Sequence, residues 1–380
     1  MSSETTVPFY SWARAARRDW PRLEKRLESV LHRGEFTAGQ AVAELEEGIA
    51  RYTGAGFAVG CNNGSDALAI MLRAAGIGPG DEVIVPAYTF FSSASSVIHV
   101  GAEPVLVDIQ PGSYALDPEA VERAITSRTR AIMPVHLFSQ MADMVALTKV
   151  AADHGLTVLE DSAEAIGMRV QGRHAGLWGR AGVLSFFPTK TLGALGDAGM
   201  LLTDDEELAR SARMLTVHGR SPDGTRAHEL IGWNSRLDEI QACVLLTRLE
   251  RLEEEIERRA VLAARYTEGL SGIDEVQVPW LRPTVQPGNQ VWYVYLAECQ
   301  RRDELVEFLE TRGVGTEVYY PRPLTQQPVL AGRPGVRHPV PVAEASARRA
   351  VGLPMYPDLT EAQVDHVVDA VRAFYRGASS

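Results

Sequence analysis

The segment at residues 185–199, SFFPTKTLGALGDAG, presents a single lysine in apolar surroundings. An apolar run leads into a rigid Pro-Thr turn, and the residues that follow Lys190 are mostly glycine and other small side chains. A lysine withdrawn from water gives up its proton more readily, and this suits it to Schiff-base chemistry. Most lysines are solvated surface residues, which is the alternative. Lys190 is therefore the first candidate for covalent catalysis.

A second candidate is the cluster of carboxylates that ends the apolar run at residues 157–160. Asp161 follows this run directly, and Glu164 lies three residues further on. The carboxyl ends of strands in an open parallel sheet face the crevice where ligands bind, so an acid placed there can serve a ligand. A capping or ion-paired carboxylate is the alternative.

A third candidate is a turn followed by a helix start, in the sequence NNGSDAL at residues 62–68. Asn-Gly supplies the turn, and Ser65 or Asp66 is predicted to cap the helix. Free backbone N–H groups at such a start form an anion site that suits a phosphate, although an ordinary capped helix has the same pattern. The chain has neither a Walker A sequence nor GxGxxG, so P-loop and dinucleotide sites lack their fingerprints.

The elements that must position these residues alternate between short apolar runs and segments of helical period. Such alternation predicts a mostly parallel sheet with helices on both faces, which is an α/β architecture. The predicted strands are residues 57–60, 83–86, 105–109, 131–136, 157–160, 182–187 and 200–203.

Beyond Asn234 the sequence changes to a long charged helix, predicted from about residue 240 to 266. A Pro/Gly-rich connection at 279–288 follows it. The remaining predicted elements are strands at 291–296 and 316–320 and helices at 303–312 and 361–375. We therefore expect a large α/β domain over residues 1–240, and the connecting helix with a small α+β domain over 241–380.

Charge and composition exclude several functions. The net charge is −11 and the pI is about 5.4, which disfavours nucleic acid and anionic membrane surfaces as partners. Three scattered cysteines have no metal-ligand or disulfide spacing. Residues 83–102 lack charged side chains, but Pro86, His99 and several hydroxyl residues favour a strand, loop and helix over a membrane span. With no signal-peptide pattern at the start, we expect a soluble cytoplasmic protein without a metal.

Taken in order, these motifs resemble the pyridoxal-phosphate-dependent sugar aminotransferases of the DegT/DnrJ/EryC1/StrS family. The resemblance implies an aspartate aminotransferase-like fold (fold type I) and extends from near Gly34 to the last helix. It rests on NGSDAL, PAYTFFSSASSVI, PVHLFSQMADM, EDSAEAIG, SFFPTKTLGALGDAG, GWNSRLDEIQA, VYYPRPLTQQP and LPMYPDLTEAQV.

The resemblance implies a role for each matching residue. Lys190 would bond covalently to pyridoxal phosphate, and Asp161 would pair with its pyridine nitrogen. Phe90 would stack on the cofactor face. The phosphate-binding residues would be Gly64, Ser65, Asp66 and Ser185, joined by Asn234 from the neighbouring subunit of a homodimer with shared active sites.

Three positions depart from the pattern of the family. Glu164 stands where many members have glutamine or histidine near the cofactor phenolic oxygen, and a carboxylate there is unfavourable unless it is protonated or turned away. Tyr319 and Thr325 stand where others have histidine. Tyr319 and Tyr320 are therefore expected to face the substrate, and Arg220 is a further candidate for binding it, since both expected ligands are anionic.

The implied reaction moves an amino group from L-glutamate to a nucleotide-linked keto-sugar. A dTDP-keto-deoxysugar is favoured, aminated at C-4 or C-3, in deoxyaminosugar or antibiotic biosynthesis. Alternatives are a sugar dehydratase on the same scaffold, an aminocyclitol aminotransferase and a non-catalytic regulator. Dehydrating relatives replace the lysine with histidine, whereas this chain keeps Lys190.

Overall fold

The computed structural model describes residues 6–282 and 290–377 of the chain. The strands of these residues, in chain order, are β1 (Phe57–Cys61), β2 (Glu82–Pro86), β3 (Glu103–Val107), β4 (Thr129–Ile132), β5 (Thr157–Asp161), β6 (Arg169–Val170), β7 (Arg173–His174), β8 (Ala181–Ser185), β9 (Gly199–Thr203), β10 (Val276–Gln277), β11 (Tyr295–Cys299) and β12 (Ala350–Leu353).

Their α-helices are α1 (Ala13–Arg33), α2 (Gln40–Thr53), α3 (Gly64–Ala74), α4 (Ser92–His99), α5 (Pro118–Ala124), α6 (Met144–His154), α7 (Glu206–Thr216), α8 (Glu239–Leu249), α9 (Leu252–Leu270), α10 (Arg302–Thr311), α11 (Pro341–Arg349) and α12 (Glu361–Gly377).

Seven strands form the main sheet in the order β1-β9-β8-β5-β4-β2-β3. The β8–β5, β5–β4, β4–β2 and β2–β3 pairs are parallel, whereas β9 is antiparallel to both of its neighbours. A smaller antiparallel sheet, β10-β11-β12, is built from the C-terminal part of the chain. The predicted α/β class, with a mostly parallel large sheet and a smaller α+β lobe, is confirmed.

Both faces of the main sheet are buried. In β2, Val83 and Val85 pack into one hydrophobic cluster with the residues of α3, while Ile84 between them packs into a second cluster with α2 and α8. Adjacent side chains of a strand point to opposite faces, so this alternation requires cover on both sides. The helices therefore cover both faces of the sheet and leave the ends of its strands uncovered.

The uncharged stretch at residues 83–102 folds as predicted, as a strand, a loop and a helix. It contains β2, a short loop and α4, and its buried hydroxyls are hydrogen-bonded, as in the 3.0 Å hydrogen bond between the hydroxyls of Thr89 and Ser93. Among the described residues, no helix is both long enough and apolar enough to cross a membrane.

The prediction of one continuous helix over residues 240–266 is wrong. The helix breaks at Glu250 and Arg251, where the Arg251 backbone leaves the helical region at φ −119° and ψ 7°. The break gives each half its own neighbours, because α8 packs against α1 and α2 of the large lobe whereas α9 packs against α12. The division of the chain into domains at residue 240 stays a prediction.

Two predicted C-terminal strands also differ. The strand expected at 291–296 begins later, as β11, because Tyr293 bonds instead to the large lobe through its N–H and the carbonyl of Phe138 at 3.0 Å. Residues 316–320 form no strand; Glu317 alone bridges to Gly352, and the tyrosines that follow turn toward the large lobe. Residues 283–289 of the predicted connection lie outside the described residues.

Candidate active site

A cavity of about 430 Å³ opens at the carboxyl ends of β5 and β8, beside the start of α3. Ligands of open parallel sheets bind at the carboxyl ends of the strands. Most of the predicted site residues line it, namely Gly64, Ser65, Phe90, Asp161, Glu164, Ser185, Lys190, Tyr319 and Tyr320.

Lys190 reaches the cavity from a tight turn after β8. The Lys190 N–H donates to the carbonyl of Phe187 at 2.8 Å, and Gly193 lets the chain pass close behind, since a Cβ there would lie 2.4 Å from the carbonyl oxygen of Pro188. Lys190 Nζ lies 3.0 Å from Glu164 Oε1 and 4.4 Å from the centre of the Tyr293 ring. The lysine side chain is 14% exposed, so its amine is accessible from the cavity yet largely withdrawn from water.

Lys190 stands apart from the other lysines of the chain. The sequence contains three lysines, and the remaining two, Lys25 and Lys149, are exposed on helices. Lys149 is paired with Asp153 at 2.6 Å on the surface of α6. Lys190 is therefore the lysine whose surroundings suit covalent chemistry.

Asp161 is the last residue of β5 and is 4% exposed. Its Oδ2 accepts a hydrogen bond from the Ser93 hydroxyl at 2.7 Å, and its Oδ1 accepts one from the Ala163 N–H at 3.2 Å. Burial raises the pKa of this carboxyl, and the two hydrogen bonds and the Lys190 charge offset the effect only in part. A cationic group bound in the cavity would favour the ionised form of Asp161.

The start of α3 differs from the prediction in its cap. Asn63, and not Ser65 or Asp66, is the N-cap residue, and its Oδ1 accepts the Asp66 N–H at 2.7 Å. Asn63 has the extended backbone that a cap requires, at φ −161° and ψ 169°. The Asp66 amide is therefore already bonded, and Asp66 does not line the cavity. Gly64 and Ser65 hold the first-turn positions, whose amides have no acceptor inside a helix.

Close packing joins this helix start to β8. A Cβ on Gly64 would lie 2.9 Å from the Ser185 Cβ, and a Cβ on Gly199 would lie 2.5 Å from the backbone of Asn63. Glycine at both positions lets the Ser185 hydroxyl approach the amides of the first turn. Ser65 completes the group, with its hydroxyl 2.6 Å from that of Ser92. These hydroxyls and amides form a compact set of donors for an anion.

Tyr319 and Tyr320 line one side of the cavity, and the buried ring of Phe138 packs against both of them to complete an aromatic wall. The Phe138 ring centre is 6.1 Å from that of Tyr319 and 6.5 Å from that of Tyr320, and the two tyrosine rings meet edge-on at 5.5 Å. Phe90 stands at the mouth, 59% exposed and 6.3 Å from Tyr320. An exposed ring at the mouth of a cavity is available to stack on a bound ligand.

Two predicted residues lie elsewhere in this chain. Asn234 and Arg220 belong to an arm, residues 217–235, in which Val217 pairs with Asn234 and Arg220 pairs with His228. Both residues are exposed, and Arg220 lines a separate surface depression. Arg220 does not line the cavity of its own chain, and its role in binding substrate stays a prediction.

Several residues that complete the site could not be identified from local sequence patterns. Ser93 holds Asp161, Tyr293 faces Lys190, and Phe138 forms part of the wall. Ser93 lies inside the run SSASS and Tyr293 inside VWYVYL, where nothing in the local pattern separates them from their neighbours. The pairing of Asp161 with a hydroxyl could be found only from the fold.

Comparison with known proteins gives the relationships of the chain. The model of the DegT/DnrJ/EryC1/StrS aminotransferase family matches residues 20–372. The chain belongs to this family. It is 45% identical to a pleiotropic regulatory protein of Geobacillus stearothermophilus, over 94% of this chain and 95% of the relative. It is 42% identical to the dTDP-3-amino-3,4,6-trideoxy-alpha-D-glucose transaminase of Streptomyces venezuelae, over 96% of this chain and 95% of the relative.

Solved structures of this aminotransferase family share the fold. The X-ray structure of S. venezuelae DesV in complex with a ketimine intermediate superposes with a TM-score of 0.92 at 41% identity, covering 97% of this chain and 98% of that chain. NtdA from Bacillus subtilis, with bound cofactor PMP, superposes with a TM-score of 0.89 at 30% identity, covering 98% and 85%. The predicted family, fold and transaminase class are confirmed.

Pyridoxal phosphate is the cofactor of the aminotransferases in this family, and the cavity fits it. The cofactor carries an aldehyde, a ring nitrogen and a phosphate, and the cavity offers an amine, a buried carboxylate and a helix start. Gly64, Ser65 and Ser185 line the cavity together, where the close approach of Gly64 to Ser185 brings the helix start and the serine hydroxyl side by side. Lys190, Asp161 and the Gly64–Ser65 turn therefore match the three parts of the cofactor.

Proposed function

We propose that this chain transfers the amino group of L-glutamate to a nucleotide-linked keto-sugar. The observation that carries the proposal is the convergence of Lys190, Asp161 and the start of α3 on one cavity. The sugar is a dTDP-keto-deoxysugar aminated at C-3, a choice supported by the name of the Streptomyces venezuelae relative. The alternative of amination at C-4 is an outcome of the experiment below.

In this proposal, different residues hold different parts of the cofactor. Lys190 would bond to the cofactor carbon, Asp161 would face its ring nitrogen, and Gly64, Ser65 and Ser185 would hold its phosphate. When bound, pyridoxal phosphate supplies a carbon that bonds to amines and a ring that withdraws electrons from the neighbouring carbon. The ionised Asp161 carboxylate keeps the ring nitrogen protonated, which maintains this withdrawal.

Lys190 also moves the proton. Its Nζ stands in the cavity between Glu164 and the Tyr293 ring, where it would be the group that accepts and returns a proton beside the bound substrate. Proton transfer by a positioned side chain contributes roughly 10²–10⁴-fold to a rate. The aromatic wall beside it excludes water from this step.

A homodimer with shared sites accounts for the residues that lie outside the cavity. The arm at residues 217–235 carries Asn234 and Arg220 on its exposed surface, and Ile231 near its end is 84% exposed. An apolar side chain so exposed favours burial against a second copy. In the dimer, Asn234 of one chain would reach the cofactor phosphate of the other, and Arg220 would meet the diphosphate of the sugar nucleotide.

The setting that we propose is a cytoplasmic pathway of deoxyaminosugar or antibiotic biosynthesis. A net charge of −11 does not attract anionic ligands, so the binding of the sugar nucleotide rests on local donors. A regulatory role, suggested by the name of the Geobacillus stearothermophilus relative, would not require a cavity lysine paired with a buried carboxylate. The sequence also retains Lys190, which dehydrating relatives replace.

The proposal is tested with ¹⁵N-labelled L-glutamate and a panel of dTDP- and UDP-keto-sugars oxidised at C-3 or C-4. We expect one ¹⁵N-amino sugar, with its nitrogen on C-3 as read by NMR, and an equal amount of 2-oxoglutarate. Nitrogen on C-4 would move the proposal to the other regiochemistry. Absence of transfer to every sugar, together with binding of DNA in a gel-shift experiment, would favour the regulator.

A further inference from the structure

Glu164 contacts both Lys190 and the aromatic wall. Its side chain is 6% exposed, and each carboxylate oxygen has its own partner. Oε1 lies 3.0 Å from Lys190 Nζ, while Oε2 accepts a 2.9 Å hydrogen bond from the N–H of Phe138. One side chain therefore links the Lys190 amine to the backbone of Phe138, whose ring packs against Tyr319 and Tyr320.

The partner of Oε2 has a strained backbone. Phe138 has a φ of +63°, in the left-handed region that bulky residues rarely occupy. Two hydrogen bonds hold it there, because Glu164 accepts its N–H and its carbonyl accepts the N–H of Tyr293 at 3.0 Å. Strain of this kind persists only where the surroundings determine the conformation. Glu164 thus helps to fix the Phe138 ring within the wall.

Few other charged groups line the cavity around Glu164. The tyrosine hydroxyls around it are neutral, because burial raises the pKa of Tyr293, Tyr319 and Tyr320. The other carboxyls that line the cavity are Asp161, which accepts a hydrogen bond from Ser93, and Asp197.

His136 also lines the cavity, and both of its ring nitrogens are engaged by groups other than Glu164. Its Nδ1 accepts the N–H of Ala142 at 3.1 Å, so the ring proton is on Nε2, 2.9 Å from Glu160 Oε2. Among the described residues that line the cavity, Lys190 is therefore the cation that faces Glu164.

We propose that Glu164 is a positioning residue that holds Lys190 with one oxygen and Phe138 with the other, and that its negative charge favours the protonated state of the Lys190 nitrogen. The inference rests on the function proposed above. Two opposite charges 3.0 Å apart in a site largely withdrawn from water interact strongly. A neutral side chain at position 164 would leave the Lys190 nitrogen to lose its proton at lower pH.

The test is a pH titration of the visible absorbance of the cofactor bound to the whole protein. Glu164→Gln keeps an oxygen that can accept the Phe138 N–H but removes the charge, whereas Glu164→Leu removes both. Glu103→Gln is the matched control, because Glu103 pairs with Arg333 at 2.7 Å and does not line the cavity. Thermal unfolding of each variant verifies that it is folded.

We expect the midpoint of the absorbance change to fall by about 1 pH unit or more in both Glu164 variants, and to stay unchanged in Glu103→Gln. We also expect the KM for the keto-sugar to rise by at least about tenfold in the leucine variant alone, because only that variant releases Phe138, whose ring supports the cavity-lining Tyr319 and Tyr320. A merely structural role would not separate the two variants in this way.

The outcomes that contradict the inference are distinct from failure of the proposed function. An unchanged midpoint in Glu164→Gln would overturn the inference while the visible band of the wild type upholds cofactor binding. A shift in Glu164→Leu alone would assign the effect to the lost hydrogen bond and overturn the role of the charge. A wild type that has no visible band after addition of pyridoxal phosphate would overturn the proposed function and this inference with it.

Discussion

Buried charge occurs on both sides of the turn that carries Lys190, but in two different arrangements. In front of the turn, Lys190 and Asp161 face an open cavity. Behind it, a buried arginine cluster, Arg248 and Arg259, is closed off by the protein itself. Arg259 is 1% exposed, and its guanidinium donates to the carbonyl groups of Trp292 and Met355 at 3.1 and 3.0 Å.

The arginine cluster also fixes the turn from behind. Arg248 donates to the carbonyl of Gly193 at 2.6 Å, and the Tyr10 hydroxyl donates to the carbonyl of Pro188 at 2.5 Å. Burial lowers the pKa of Arg259 to about 10, and it still remains charged at neutral pH. The arginines behind the turn therefore stabilise the fold, whereas the charges that face the cavity remain available for a ligand and lower the stability of the protein.

The largest effect is expected from Lys190→Ala. Since one amine both bonds the cofactor and moves the proton, turnover should fall by more than about 10⁴-fold. The visible absorbance of the bound cofactor should be lost as well. Steady-state turnover and a spectrum of the protein incubated with pyridoxal phosphate check both, with Lys149→Ala on the surface as the control. Turnover close to that of the wild type would remove Lys190 from the centre of the site.

Asp161→Asn should lower kcat by about 10²–10³-fold, because the ring nitrogen loses its charged partner. The cofactor-free variant should nevertheless be more stable than the wild type at neutral pH. The folded state raises the pKa of Asp161, so its ionisation above the unfolded value opposes folding. The gain in stability should shrink as the pH falls below the pKa of Asp161 in the folded state, and it should vanish below the pKa of the unfolded chain. Denaturant unfolding at neutral and acidic pH measures it, and a loss of stability at neutral pH would contradict the comparison.

Arg259→Met should have the reverse effects: it should lower the stability of the protein and leave kcat nearly unchanged. Removing this cation leaves buried carbonyl groups unpaired, and the free energy of unfolding should fall by about 3–5 kcal/mol. The kcat of the folded fraction should stay within about threefold, since the guanidinium does not line the cavity. Denaturant unfolding combined with turnover per folded molecule distinguishes the two effects. A catalytic loss without a loss of stability would show that the rear cluster takes part in the chemistry.

The smallest effect is expected from Tyr10→Phe. It removes one hydrogen bond to the Pro188 carbonyl and should cost about 1–2 kcal/mol of unfolding free energy. Because Arg248 still holds Gly193, Lys190 should keep its position and its cofactor absorbance. A change in that absorbance equal to the loss in Lys190→Ala would mean that the tyrosine alone fixes the turn.

Most of the sheet and the centre of the site were predictable because their signals are local. Apolar runs predicted β2, β5 and β9, and the positions of Asp161 and Lys190 after two such runs predicted that they meet. The contacts of Ser93 and Phe138 join residues distant in sequence, and no local pattern encodes them. The break between α8 and α9 escaped prediction because Leu249, Leu252 and Ile256 continue the helical period across it while the two halves pack on different lobes.

Helix α1 is another element whose burial no local pattern encodes. Its sequence is dominated by charged residues, and its apolar positions, such as Leu23 and Val30, are sparse. They are buried only because α1 packs against α8, a contact that spans the chain from its start to beyond residue 239. Tertiary packing, and not local propensity, makes this segment part of the core.

The central claim is that Lys190 bonds the cofactor, and reductive trapping tests it most directly. The wild type is incubated with pyridoxal phosphate, reduced with borohydride, digested and analysed by mass spectrometry. Since the chain has only three lysines, Lys25 and Lys149 serve as internal controls. The account predicts one reduced cofactor per chain, on the peptide that contains Lys190, and its loss on prior addition of L-glutamate. A cofactor trapped on Lys25 or Lys149 in place of Lys190, or none at all, would contradict it.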